Sequence, residues 1–296
     1  MKYKIAYIIL GILLIVGYVK TRENTIDKQT LKLLDEVRHM ETNEIWEGFD
    51  IKKYPLDVNY GNLEYRYMDG DIIKKSPDLQ VLALTAISTA TGPVVKVLPE
   101  SELRKITDMG GLSQSERDAI YKSILIHEAF HCYQIEKSGN GVQIENGVIV
   151  SADLDEYKIY AELLKRIDND VKYHKLWNNE ISGLKEYLES GDSKSWTESR
   201  KQKVDYEKKF FGSEYNVYKK WTDMKELLEG SARYVENKAL TIMNQKKNEP
   251  SINYVKGDAK FYQSGCLKVQ ILNEIKGWKD LDFSGSISLD ELLISK

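Results

Sequence analysis

Ile124-Leu125-Ile126-His127-Glu128-Ala129-Phe130-His131-Cys132-Tyr133-Gln134 places two histidines four residues apart, with a glutamate directly after the first. On a helix, positions i and i+4 project from one face about one turn apart, so His127 and His131 can aim an imidazole nitrogen at one ion. Glu128 is rotated off that pair yet stays within reach of a water held there, the position a general base needs. Histidine is scarce, with four in 296 residues, and half of them lie in this stretch. The plainer alternative is a core helix whose imidazoles are satisfied by hydrogen bonds.

The flanks predict a helix. Ser113-Gln114-Ser115-Glu116 has the form of a capping box, with Ser113 as N-cap and Glu116 three residues on. Ile120, Ile124, His127 and His131 follow at helical spacing, and Ser138-Gly139-Asn140-Gly141 supplies the stop, for a helix of roughly six to seven turns. Beyond it, Asn146-Gly147 between Val142–Glu145 and Val148–Val150 signals a hairpin.

A chain that is 42% hydrophobic and 10% aromatic can bury a sizeable core as one large domain or two lobes. The net charge of −3, with lysines and glutamates interspersed, offers no basic footprint and argues against nucleic acid as a partner. Cys132 and Cys266 are too few for a disulfide framework and read as two buried thiols. At the N-terminus, Lys2 and Lys4 precede an uncharged run, Ile5–Val19, after which charges return. Fifteen residues reach about 22 Å against a hydrocarbon core of roughly 30 Å. Without a small-x-small cleavage site the run reads as an uncleaved signal-anchor, with a cleaved signal peptide as the alternative; either places the body outside the cytoplasm.

From Thr25, the residues Ile26, Leu31, Leu33, Leu34, Val37 and Met40 form an apolar helical stripe. Short alternating runs then predict consecutive antiparallel strands at 54–60, 63–67, 72–73, 79–88 and 93–98, broken by Gly61, Asn62, Asp69, Gly70 and Thr89–Gly92. Residues 151 to about 247 read as mostly helical, with breaks near Gly183, Gly191-Asp192 and Gly212.

A catalytic zinc needs three protein ligands and one open position, so a third donor must come from outside the histidine helix. His39 and His174 stand in polar surroundings and read as solvated. Glu156 and Glu162 on one predicted helix, and Glu229 on another, are the carboxylate candidates. Spacing does not separate them. Gly230 does: a glycine inside a strong helical pattern costs about 1 kcal/mol relative to alanine and usually marks a close approach, which favours Glu229 through packing against the histidine helix.

HEAFHxxQ at 127–134, EGSARYVE at 229–236 and FYQSG at 261–265 resemble the gluzincin metallopeptidases, the group that includes thermolysin and aminopeptidase N. The resemblance spans roughly 113–290 and is strongest in the first two motifs. It implies a zincin-like fold, His127, His131 and Glu229 as zinc ligands, Glu128 as general base and Tyr262 as the phenol that hydrogen-bonds the oxyanion. There are departures. Arg233 stands where thermolysin has an aspartate supporting a ligand histidine, and Glu236 on the same predicted helix is the candidate replacement. The gap from His131 to Glu229 is far longer than in aminopeptidases, and no GxMEN-type motif is present to hold a free amino group.

The expected architecture is α+β: residues 1–24 as anchor or signal, 25–112 as a helix plus strand-rich lobe, and 113–296 as a mainly helical, zinc-binding lobe. The expected activity is hydrolysis of a peptide or protein substrate with one Zn²⁺. The alternative is an inert, membrane-anchored surface protein whose metal site is structural or vestigial.

Overall fold

A computed structural model of the chain describes residues 26–60, 63–68, 70–76, 84–106, 111–138, 143–145, 148–150, 154–248, 253–275 and 281–295. The apolar run Ile5–Val19 lies outside them. Among the described residues no helix is long and apolar enough to cross a membrane. The fold class is α+β, and contacts divide the chain into two compact units, 1–150 with 235–247 and 151–234 with 248–296. The boundary read at 112/113 falls inside the first unit, so the histidine helix belongs with the strands.

The first unit begins with α1 (Lys28–Arg38), whose N-cap Asp27 accepts the Thr30 N–H at 2.8 Å and which buries Leu33, Leu34 and Val37. A short α2 (Thr42–Ile45) and a 3₁₀ turn (Ile51–Lys53) lead into the sheet. Its strands are β1 (Leu56–Tyr60), β2 (Leu63–Met68), β3 (Asp71–Lys75), β4 (Thr85–Thr89), β5 (Gly92–Val97), β6 (Gln143–Glu145) and β7 (Val148–Val150). They lie in the order β3-β2-β1-β5-β4-β6-β7. Hairpin neighbours are antiparallel, as expected, including Glu145↔Val148 around Asn146-Gly147. The sheet as a whole is not: β1 pairs β5 in parallel, and so does β4 with β6. The first parallel pairing sets Val95 and Val97 beside Leu56 and Val58, all four fully buried on one face. Of the run read as a strand at 79–88, β4 begins only at Thr85, and 79–83 lies outside the described residues.

The opposite sheet face is charged. Lys96, Asp57 and Glu64 are wholly buried there; Lys96 Nζ stands 3.2 Å from Asp57 and 2.8 Å from Glu64, and Lys75 and Arg66 close the cluster from outside. These basic groups hold the Asp57 carboxyl far below the usual carboxylate range, against the opposing effect of burial.

After α3 (Glu100–Ile106), α4 (Gln114–Ser138) packs on α1, β4 and β5. Its capping box forms as expected: Ser113 N donates to Glu116 Oε2 at 2.7 Å, and Glu116 N donates to Ser113 Oγ at 3.3 Å. Leu125 through Phe130 are all buried, so α4 is enclosed on every side along this turn and a half.

The second unit contains α5 (Leu154–Ile167), α6 (Val171–Ser190), α7 (Lys194–Phe211), most of α8 (Tyr215–Ile242), α9 (Ala259–Ile275) and α10 (Leu289–Ile294). Gly183 is no break. It lies inside α6, where a Cβ would stand 2.7 Å from the Trp196 Cα, so the absent side chain lets α6 and α7 touch at backbone level. Gly230 does mark a close approach, but to α9 and not to the histidine helix: a Cβ there would sit 2.4 Å from Gly265 Cα. The two glycines meet where α8 and α9 cross, the reason small residues recur in both helices.

Candidate metal centre

The enclosed turn of α4 carries His127, 6% exposed, and Glu128, 4% exposed, with His131 half-buried one turn on. The Nε2 atoms of His127 and His131 stand 3.1 Å apart. Each ring is held by its other nitrogen. His127 Nδ1 lies 3.0 Å from Glu236 Oε2, and His131 Nδ1 lies 2.7 Å from Gln134 Oε1. A carboxylate oxygen and an amide oxygen only accept, so both Nδ1 atoms carry the hydrogen and a neutral ring then presents a lone pair at Nε2. In that tautomer both Nε2 atoms turn toward one another.

That arrangement suits a shared cation. Two imidazole nitrogens each about 2.0–2.1 Å from one zinc at tetrahedral angle stand about 3.3 Å apart, close to the separation found here. An outer hydrogen bond on the far ring nitrogen is the usual way a protein orients a ligand histidine.

Glu236 therefore does what was expected of it. It belongs to α8, in the part of that helix assigned to the first unit, and is 5% exposed. Glu229 stands seven residues earlier on the same unbroken helix, hence two turns away on the same face. Among the described residues, His127, His131 and Glu229 each offer a donor atom, and these atoms all lie within 4.8 Å of one another. The donor set of two imidazoles and a carboxylate is one zinc takes in catalytic sites. The glycine argument for Glu229 does not hold, because Gly230 serves α9; the helix face shared with Glu236 is the better reason.

The competing carboxylates are placed otherwise. Glu156 pairs with Lys220, and Glu162 is exposed. His39 is exposed as expected, with its side chain 73% accessible. His174 is not solvated: its ring stacks on Tyr254 at 3.9 Å, and Nε2 stands 3.0 Å from the Asp168 carbonyl. Tyr262 is half-buried on α9. Cys132 and Cys266 form no disulfide and are buried, and burial, with Glu128 nearby, pushes the Cys132 thiol well above its ordinary range.

Two contacts were assigned no role from the sequence. Gln134, 2% exposed, had a legible signal in its position one turn after His131. The Ala86 backbone N–H, which donates to Glu128 Oε2 at 3.1 Å, had none, because a strand's outward N–H is invisible until the strand is placed. This bond fixes Glu128 against β4, and β4 thereby sets the direction of the carboxylate.

The chain matches no protein-family model, and no curated protein or solved structure is detectably similar to it.

Proposed function

We propose that the chain is a zinc-dependent peptidase with a zincin-like site, tethered by residues 1–24 with its body outside the cytoplasm. The observation that carries this reading is the pair of facing Nε2 atoms, 3.1 Å apart, each on a ring whose Nδ1 is already engaged by an acceptor. Glu229 adds a third donor atom, within 4.8 Å of the donor atoms of both histidines.

His127, His131 and Glu229 would hold the ion. Bound there, zinc supplies Lewis-acid polarisation of a carbonyl and a water acidic enough to be deprotonated near neutral pH. Glu128 then accepts the proton of the attacking water on its carboxylate and passes it to the departing amine nitrogen, while the Ala86 N–H holds the carboxylate in place. Glu236 and Gln134 keep both imidazoles in the tautomer that turns Nε2 inward. Tyr262 is the candidate donor to the oxyanion of the tetrahedral intermediate. The substrate class is a peptide or protein; the net charge of −3 argues against nucleic acid.

The test is metal analysis together with digestion of a diverse peptide library by the purified chain and by Glu128→Gln. One zinc per chain in both proteins, with cleavage only in the first and lost to 1,10-phenanthroline, is the expected result. Undiminished cleavage by Glu128→Gln overturns the mechanism. Full folding without metal and no turnover would favour the inert surface protein instead.

A further inference from the structure

A second metal motif lies in the last seventeen residues, independent of the histidine site. Asp280-Leu281-Asp282-Phe283-Ser284-Gly285-Ser286-Ile287-Ser288-Leu289-Asp290-Glu291 has the twelve-residue register of a calcium-binding EF-hand loop. Acidic residues occupy positions 1, 3 and 12, glycine position 6 and isoleucine position 8. One position departs from the pattern: Ser284 stands at position 5 in place of Asp or Asn, offering a hydroxyl oxygen instead of a carboxylate. A fixed spacing of five such positions is far more specific than acidic residues gathered by chance.

The fold agrees with the register at Asp282, Gly285, Ser288 and Glu291. The segment follows α9 and leads into α10, so it joins two helices as the motif requires. Gly285 takes φ +78°, the left-handed conformation that makes position 6 glycine. Asp282 is turned into the loop, where Oδ1 accepts the Ser284 N–H at 2.9 Å and Oδ2 accepts the Ser284 and Ser286 hydroxyls at 2.5 Å each. Ser288, at position 9, caps α10 and shares a capping box with Glu291, placing position 12 in the first turn of the exiting helix. Phe283, Leu289 and Leu293 are buried and anchor the loop on both sides, whereas Ile287 is 46% exposed. Asp280 lies outside the described residues and enters by sequence alone.

We infer that residues 281–291 form a calcium site, with side-chain oxygens of Asp282, Ser284 and Glu291 and the Ser286 carbonyl as ligands, and with Asp280 at position 1 by the sequence register alone. The donor set is all oxygen, which suits a hard cation and not zinc. Calcium is favoured over magnesium because a loop of this kind supplies more ligands, at longer distances, than octahedral magnesium takes. With three carboxylates and a lone loop, the affinity belongs with extracellular modules, Kd about 10⁻⁴–10⁻³ M. The site also bears on the unit's framework. Asp290, next to the position-12 ligand, meets Arg200 at 2.6 Å and Lys268 at 2.7 Å, tying α10 to α7 and α9.

The experiment is calorimetric titration of the zinc-loaded full chain with CaCl₂, and separately MgCl₂, alongside Glu291→Gln and Asp280→Asn. Glutamine at 291 retains the capping box and removes the charged bidentate ligand, so this variant should melt in EGTA as the parent does. The expected result is one calcium per chain, at least tenfold weaker in both variants, with magnesium weaker than calcium in the parent. Calcium should also raise the parent's melting temperature by mass action and not that of Glu291→Gln. No saturable binding up to about 10 mM calcium, a concentration above the range for such modules, would overturn the site. Binding unchanged in both variants would do so equally, by placing the ion elsewhere.

Discussion

Glu236 of α8 accepts the Nδ1 hydrogen of His127 of α4 at 3.0 Å, with both side chains buried, and so joins this ring to a second helix. The bond fixes both the ring plane and the tautomer. Glu236→Ala should therefore weaken zinc binding by about 10–100-fold, the usual cost of losing such a partner. Gln134→Ala should weaken it less, since an amide oxygen is a poorer acceptor than a carboxylate. Competition with a fluorescent zinc chelator measures both. Parent-like zinc affinity in Glu236→Ala would show that the ring needs no such support.

The contact between Gly230 and Gly265 is made backbone to backbone. A methyl at Gly230 has 2.4 Å to the Gly265 Cα and no flexible side chain to displace. Gly230→Ala should gain helix propensity and still lose stability, by about 1–3 kcal/mol or more, because overpacking outweighs the propensity gain. Chemical denaturation would register this as a lower midpoint with unchanged slope. A midpoint equal to the parent's would mean that the helices separate freely at this crossing.

What the sequence disclosed was local. The α4 helix, its capping box and the Asn146-Gly147 hairpin each depend on residues a few positions apart, and all three formed. Glu236 was legible because the resemblance puts Arg233 where a supporting aspartate is expected, leaving Glu236 as the acidic residue further along the same helix. The parallel pairing of β1 with β5 was not, since it joins strands separated along the chain by three others. Gly183 misled because glycine serves both helix ends and helix contacts, and only placing Trp196 decides between them. The loop at 280–291 escaped a reading tuned to apolar periodicity, because its signal lies in oxygen-bearing residues.

Buried lysines were the least legible feature. Lys96 alternates along β5 like any solvent-facing residue, yet it is wholly buried between Asp57 and Glu64. Removing its charge leaves two carboxylates facing Arg66 and Lys75 alone. Lys96→Met, which keeps the volume, should cost about 3–5 kcal/mol, the range for breaking a buried pair by deleting one partner. Double substitution with Glu64→Gln should recover part of that loss, because one of the two stranded charges goes with it. Equal stability of the single and double variants in urea would show that Glu64 is compensated by Lys75 without help.

The second unit carries a comparable cluster with a pH dependence of definite sign. Glu207 on α7 is buried, with Oε1 accepting the Tyr173 hydroxyl at 3.1 Å and Lys203 Nζ 3.9 Å away. Burial pushes its carboxyl up to about 7 from an ordinary 4.5; Lys203 opposes the rise and Glu180 adds to it. The folded chain thus holds a proton that the unfolded chain has released. Stability carried by this group is whole below pH 4.5, falls as pH rises toward 7, and is flat above it. The full span of that shift corresponds to about 3 kcal/mol at most. Glu207→Gln keeps an oxygen for Tyr173 and cannot ionise. It should match the parent near pH 4, where Glu207 is largely protonated both folded and unfolded, and exceed it near pH 8. Denaturation at the two pH values decides the matter, and a Glu207→Gln advantage that is the same at both would remove Glu207 as the titrating group.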